Sequence, residues 1–133
     1  MENVRYIKND EGEILVIVIF NSFNEEGLTF VTPDYFSLQM GIHNRKQDAT
    51  VKPHKHNHLE NIDRLSFQEM FYIIDGEMEF GIYDRNDSLF ETIVLKKGDT
   101  ILFNTGHSLR FMKNSKVLEL KQGPYRPDEK KFI

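Results

Sequence analysis

Polar punctuation cuts this chain into short apolar runs. Clusters of Gly, Asn, Asp and Pro recur at Asp10-Glu-Gly12, Asn24-Glu-Glu-Gly27, Pro33-Asp34, Asn44-Arg-Lys46, Asp75-Gly76, Arg85-Asn-Asp-Ser88, Lys97-Gly-Asp99, Asn104-Thr-Gly106 and Lys113-Asn-Ser115. These residue types tolerate or preset the backbone angles of turns. Between them lie runs of about 5–10 residues rich in Phe, Ile, Val, Tyr and Thr. Branched and aromatic side chains suit a pleated surface, so the runs read as strands. The pattern predicts strands over residues 4–8, 13–20, 28–31, 36–43, 50–56, 66–75, 77–84, 90–95, 100–104, 108–112 and 116–122. No window of twelve or more residues keeps a 3.6-residue apolar period without a turn breaking it. An all-β chain with strands at this spacing implies a sandwich or a barrel. Residues 123–133 are polar and contain Pro124 and Pro127, which marks them as a loose tail or the cover of an edge strand.

Composition narrows the picture. A length of 133 residues suits a single domain, 1–133. Apolar residues make up 39% and aromatics 12%, enough for a packed core and too much for a disordered segment. Seventeen Lys and Arg against 21 Asp and Glu leave a net charge of −4, and a surface that tracks phosphates needs a basic excess. No nucleic-acid partner is therefore expected. The absence of Cys removes disulfides, thiolate zinc sites and a thiol nucleophile. The longest apolar run, residues 14–20, is far short of the ~20 residues a membrane helix needs. The first residues show no secretion signal, so the expectation is a cytoplasmic protein without a membrane partner.

The most informative pattern is 67–83. Strand side chains alternate, so Phe67, Glu69, Phe71 and Ile73 share one face. Beyond the turn at Gly76, Met78, Phe80 and Ile82 point one way, and Glu77, Glu79 and Tyr83 the other. Glu69 thus lies on an aromatic face, where a carboxylate costs several kcal/mol, by order of magnitude, unless a cation or donors compensate it. Arg64, Arg110 and Lys121 are possible partners, and a metal ion is another. Of five histidines, three stand in Pro53-His-Lys-His-Asn-His58. In an extended segment the imidazoles of His54, His56 and His58 fall on one side, and neighbours at i and i+2 are ~6–7 Å apart at the backbone. His107 opens another predicted strand, with Leu109 and Phe111 on its face. The candidate metal set is His54, His56, Glu69 and His107, which suits a divalent ion such as Fe, Mn, Ni or Zn. The alternative is that the His-rich stretch is solvated, His107 is a turn residue and Glu69 pairs across strands. His43 and His58 read as structural or exposed.

These residues resemble the cupin family of small β-barrels, whose first motif reads G-x5-HxH-x(3–4)-E-x6-G. Pro53-His-Lys-His56 supplies the HxH, and Glu69-Met-Phe-Tyr-Ile-Ile-Asp-Gly76 supplies E-x6-G. The second motif, G-x5-PxGxxH-x3-N, is matched at Gly98 and Gly106. Three departures stand out: twelve residues separate His56 from Glu69, Asn104 replaces the motif proline, and histidine follows Gly106 directly while Leu109 takes its usual place. The resemblance covers about residues 36–122 and implies a cupin-type double-stranded β-helix, or jelly-roll, barrel. The segments around Gly106-His-Ser-Leu-Arg-Phe111 and Leu118-Glu-Leu-Lys-Gln-Gly-Pro-Tyr125 look like cupins found with bacterial surface-polysaccharide and nucleotide-sugar genes.

The resemblance implies a metal-binding protein acting on a small, sugar-like molecule, by isomerase, epimerase or oxygenase chemistry. The expected catalytic residues are His54 and His56, and the expected metal ligands are His54, His56, Glu69 and His107. Gln39, Tyr72, Arg110 and Glu119 are candidate polar groups of the pocket. The competing expectations are a sugar-binding module without turnover, and a metal-free keto-sugar isomerase with histidine as general base. A homodimer joined through edge strands is also expected, since residues 13–20 are apolar on both faces.

Overall fold

The computed structural model describes residues 3–57, 67–123, 127 and 131–133. Every regular element among them is a strand, and the strands form three antiparallel sheets. The chain divides into two compact units, one of residues 1–23 with 67–133 and the other of residues 24–66.

The first unit holds two sheets. The larger contains β1 (Val4–Lys8), β2 (Ile14–Ile19), β5 (Glu69–Asp75), β8 (Thr100–Phe103) and β10 (Lys116–Lys121), in the order β1-β2-β8-β5-β10. The smaller contains β6 (Glu77–Tyr83), β7 (Leu89–Lys96) and β9 (His107–Phe111), in the order β7-β6-β9. Alternation along each strand decides which side chains meet between the sheets. Val16 and Val18 of β2, Phe71 and Ile73 of β5, and Ile101 and Phe103 of β8 pack against Met78, Phe80 and Ile82 of β6 and Leu95 of β7. All ten are at most 2% exposed, so this is the hydrophobic core of a two-layer sandwich.

The chain passes from the larger sheet to the smaller between β5 and β6, through Gly76 at φ +104°. A side chain there would be strained by that angle and would also run into Ser115. The Ser115 hydroxyl accepts the amide of Glu77 at 3.2 Å, which anchors the crossing to the start of β10.

The second unit carries β3 (Gly27–Phe30) and β4 (Gly41–Asn44), paired antiparallel with Leu28 opposite His43. Between them the Thr32 hydroxyl donates to Gln39 Oε1 at 2.9 Å, and Gln39 Nε2 donates to the carbonyls of Pro33 and Phe36. Gln39 therefore closes a loop here. The strand expected at 50–56 does not form, and that at 36–43 shrinks to Gly41–Asn44. The reason is physical. Pro53 has no amide to give a ladder. The alternation of His and Lys offers no apolar face to bury, and Val51, the only large apolar residue there, is 58% exposed.

All-β is thus the observed class, and among the described residues the sheets do not close into a barrel. No helix of the described residues is long and apolar enough to cross a membrane.

Candidate functional site

Register within the first unit gathers a group of polar side chains. In the pairing of β5 with β10, Lys121 lies opposite Glu69 and Glu119 opposite Phe71. In the pairing of β6 with β9, His107 lies opposite the core residue Ile82. Glu69, Glu119, Lys121 and His107 therefore share the inner side of the sandwich. They line a cavity of about 600 Å³ with Phe67, Phe71, Tyr83, Leu109 and residues 131–133. A volume of that size suits a small organic ligand.

His107 is the centre of the group. Its Nε2 lies 3.0 Å from Glu69 Oε2, with the two side chains 22% and 12% exposed. Its Nδ1 lies 3.3 Å from the carbonyl oxygen of Thr105. A carbonyl can only accept, so Nδ1 carries a hydrogen, and the Glu69 carboxylate likewise accepts a hydrogen bond from Nε2. The ring is wedged between aromatics: its centroid is 4.4 Å from that of Phe103, with 30° between the planes, and 5.7 Å from that of Phe71, at 75°. Thr105 is fixed in turn by its hydroxyl, which donates to the carbonyl of Tyr83 at 2.5 Å.

The two carboxyl groups titrate apart. Burial pushes Glu69 up, but hydrogen bonds from His107 and Glu119 and the charges of His107 and Lys121 outweigh it, holding the group at about 2. Glu119 is raised above the ordinary carboxyl range, first by its hydrogen bond to Glu69, then by burial and by the charge of Glu69. The pair thus places an ionised acceptor beside a carboxyl that keeps its proton to higher pH, the usual arrangement for dividing acid and base roles.

Of the expected site residues, Glu69 and His107 come together, with Glu119 beside them. The cationic partner of Glu69 is His107, supported by Lys121, whereas Arg110 forms its ion pair with Glu79 at 3.6 Å. Arg64 and His58 lie outside the described residues. His54 and His56 belong to the second unit; both are exposed, their ring centroids are 5.3 Å apart, and the Lys52 carbonyl lies 2.8 Å from His54 Nδ1. Tyr72 alternates to the outer face of its sheet and is 39% exposed. His43 is exposed on β4. Sequence reasoning missed the aromatic walls Phe71 and Phe103 as parts of a site, because a buried Phe reads as core in any sequence.

The chain matches no family model, no curated protein and no solved structure. Among the described residues no three His, Cys, Asp or Glu side chains converge as ligands of one ion. Two donors do fit. Two ligands at ~2.1 Å from an ion and at right angles to each other are ~3 Å apart, which is the spacing of His107 Nε2 and Glu69 Oε2.

Proposed function

We propose that this chain is a cupin-type protein whose cavity takes a small polar, sugar-like molecule, and that His107 and Glu69 move a proton on it. The observation that carries the reading is the 3.0 Å pair of His107 and Glu69 on the wall of a cavity of ligand size. His107 donates both ring hydrogens, Nδ1–H to the Thr105 carbonyl and Nε2–H to Glu69 Oε2. The ionised Glu69 carboxylate takes a proton from a carbon next to a carbonyl, and the C–H electron pair moves into the carbonyl oxygen as an enolate. The imidazolium holds that carboxylate in place and offsets its charge. Glu119, whose carboxyl keeps its proton to higher pH, and Lys121 are the groups that meet charge on the substrate oxygen. Return of the proton to the neighbouring carbon, or to the other face of the same carbon, completes an isomerisation or epimerisation without any oxidant.

The test is hydrogen exchange. Incubation with keto-sugars and their nucleotide-linked forms in deuterated water is expected to place deuterium beside the carbonyl. His107→Ala should slow that exchange by roughly 10²–10⁴-fold. Exchange at the wild-type rate in His107→Ala would overturn the proposal, and tight binding without exchange would make the chain a sugar-binding module.

A second reading is favoured by the ligand-like spacing of His107 and Glu69: these two would hold a divalent ion. The ion, when bound, supplies Lewis-acid polarisation of a substrate oxygen. Elemental analysis of protein purified without added metal decides between the readings. Stoichiometric metal that falls in both Glu69→Gln and His107→Ala supports the second, and exchange that survives exhaustive chelation supports the first.

A further inference from the structure

Two buried amide side chains stand immediately behind the cavity pair. Gln68 is 1% exposed and Asn104 is 9% exposed, the former next to Glu69 in the chain and the latter three residues before His107. The ladder of β5 and β8 ends with Glu69 opposite Phe103, so Gln68 and Asn104 face each other one step beyond it. There Gln68 Nε2 donates to Asn104 Oδ1 at 2.9 Å. Asn104 Nδ2 donates to the Ile14 carbonyl at 3.2 Å, and the Asn104 amide donates to the Leu15 carbonyl at 2.9 Å. The backbone amide of Gln68 donates to Gln122 Oε1 at 2.7 Å. One small network thus ties the start of β5, the end of β8, the start of β2 and the end of β10.

We infer that this buried bridge is the positioning device of the site: it sets the distance between Glu69 and His107. The link is strand alternation. A slip of one residue turns every side chain of a strand to the opposite face. Holding Gln68 on the outer face therefore holds Glu69 on the inner one. Asn104, fixed to β2, holds the short connection whose Thr105 carbonyl faces His107 Nδ1. A proline at position 104 would fix the backbone but could make none of these three hydrogen bonds, so the asparagine does something the motif residue cannot. Gln68 and Asn104 touch no substrate in this account; they act through Glu69 and His107. The inference rests on the proposed role of that pair.

The first readout needs no ligand, and the second uses the keto-sugars of the exchange assay. A ring N–H held in a charge-assisted hydrogen bond exchanges slowly with water and resonates downfield, so ¹⁵N-labelled full-length protein reports the pair directly. The wild type is expected to show this resonance for His107 Nε2–H, and Gln68→Asn, which keeps an amide but falls one methylene short, is expected to lose it. Ile101→Val, a core variant chosen to lower Tm comparably, is expected to keep it, which separates positioning from general loosening. The deuterium wash-in rate should fall at least tenfold in Gln68→Asn and stay within threefold in Ile101→Val. A folded Gln68→Asn with the resonance and wash-in intact overturns the bridge alone. A wild type without the resonance overturns the pair and the bridge together. Should Gln68→Asn not fold, Asn104→Ser, which shortens the other arm, is read by the same two outcomes.

Discussion

At the scale of single residues, the site is an electrostatic arrangement that pH can take apart. The ordinary value for Glu69 is 4.5, and in the folded chain it is held at about 2. A depressed carboxyl stabilises the folded state at pH values above its ordinary value, and that contribution disappears as the pH falls through the folded one. The window for Glu69 is therefore about 4.5 down to about 2. Glu119 is shifted the other way, so its contribution is complete below the ordinary carboxyl value and fades as the pH rises through its raised one. Urea midpoints measured from pH 7 to pH 2 should therefore fall more steeply below about 4.5 in the wild type than in Glu69→Gln. Parallel curves would remove the electrostatic account of the pair. Part of this was legible from alternation alone: Glu69 on an aromatic face demanded a cation. Which cation answers is not legible, because the sequence offers a metal ion first and Arg64, Arg110 or Lys121 as alternatives, and only the long-range register brings His107 to Glu69.

At the scale of elements, the crossing at Gly76 and the missing strand at 50–56 show where local pattern succeeds and where it fails. Asp75-Gly76 announces a turn in sequence, and the structure makes it the passage between two sheets, at a positive φ and against Ser115. Gly76→Ala combines backbone strain with a clash, so it should cost about 1–3 kcal/mol or more and lower the thermal midpoint by several degrees. A melting curve unchanged by the substitution would show that the turn relaxes freely. The His-rich segment misled because alternation was counted without asking what either face would bury. In Pro53-His-Lys-His56 neither face is apolar, and the ladder loses a donor at Pro53. His54→Ala/His56→Ala should accordingly shift stability by no more than about 0.5 kcal/mol, the range for exposed positions. A much larger loss in protein purified without chelators, abolished by chelation, would mark these histidines as ligands of an ion.

At the scale of the whole first unit, the sandwich does two different jobs along one interior. The all-β class and ten of the eleven expected strands followed from turn spacing and residue type, which are local properties. The order β1-β2-β8-β5-β10 did not, because pairing is decided by contacts far apart in sequence. That order leaves β9 and β10 each at the end of its sheet, and the cavity opens beside them. Leu109 and Phe111 of β9 are paired in register with the fully buried Phe80 and Met78, yet they are 38% and 56% exposed. The interior is thus sealed at β6 and open at β9. Two substitutions should separate these jobs. Phe80→Ala removes a ring packed against Phe71 and Phe103, which should cost about 3–5 kcal/mol and threaten folding itself. Leu109→Trp adds bulk at a position already partly in water, so its effect on the thermal midpoint should be small, within about 0.5–1 kcal/mol. Its effect on function should be large, because Leu109 lines the cavity two residues beyond His107 and the indole narrows the path to the His107–Glu69 pair. Deuterium wash-in should drop more than tenfold in Leu109→Trp while melting hardly changes. Wash-in at the wild-type rate would mean that the substrate reaches His107 from another side, and that the opening between β9 and β10 is not its entrance.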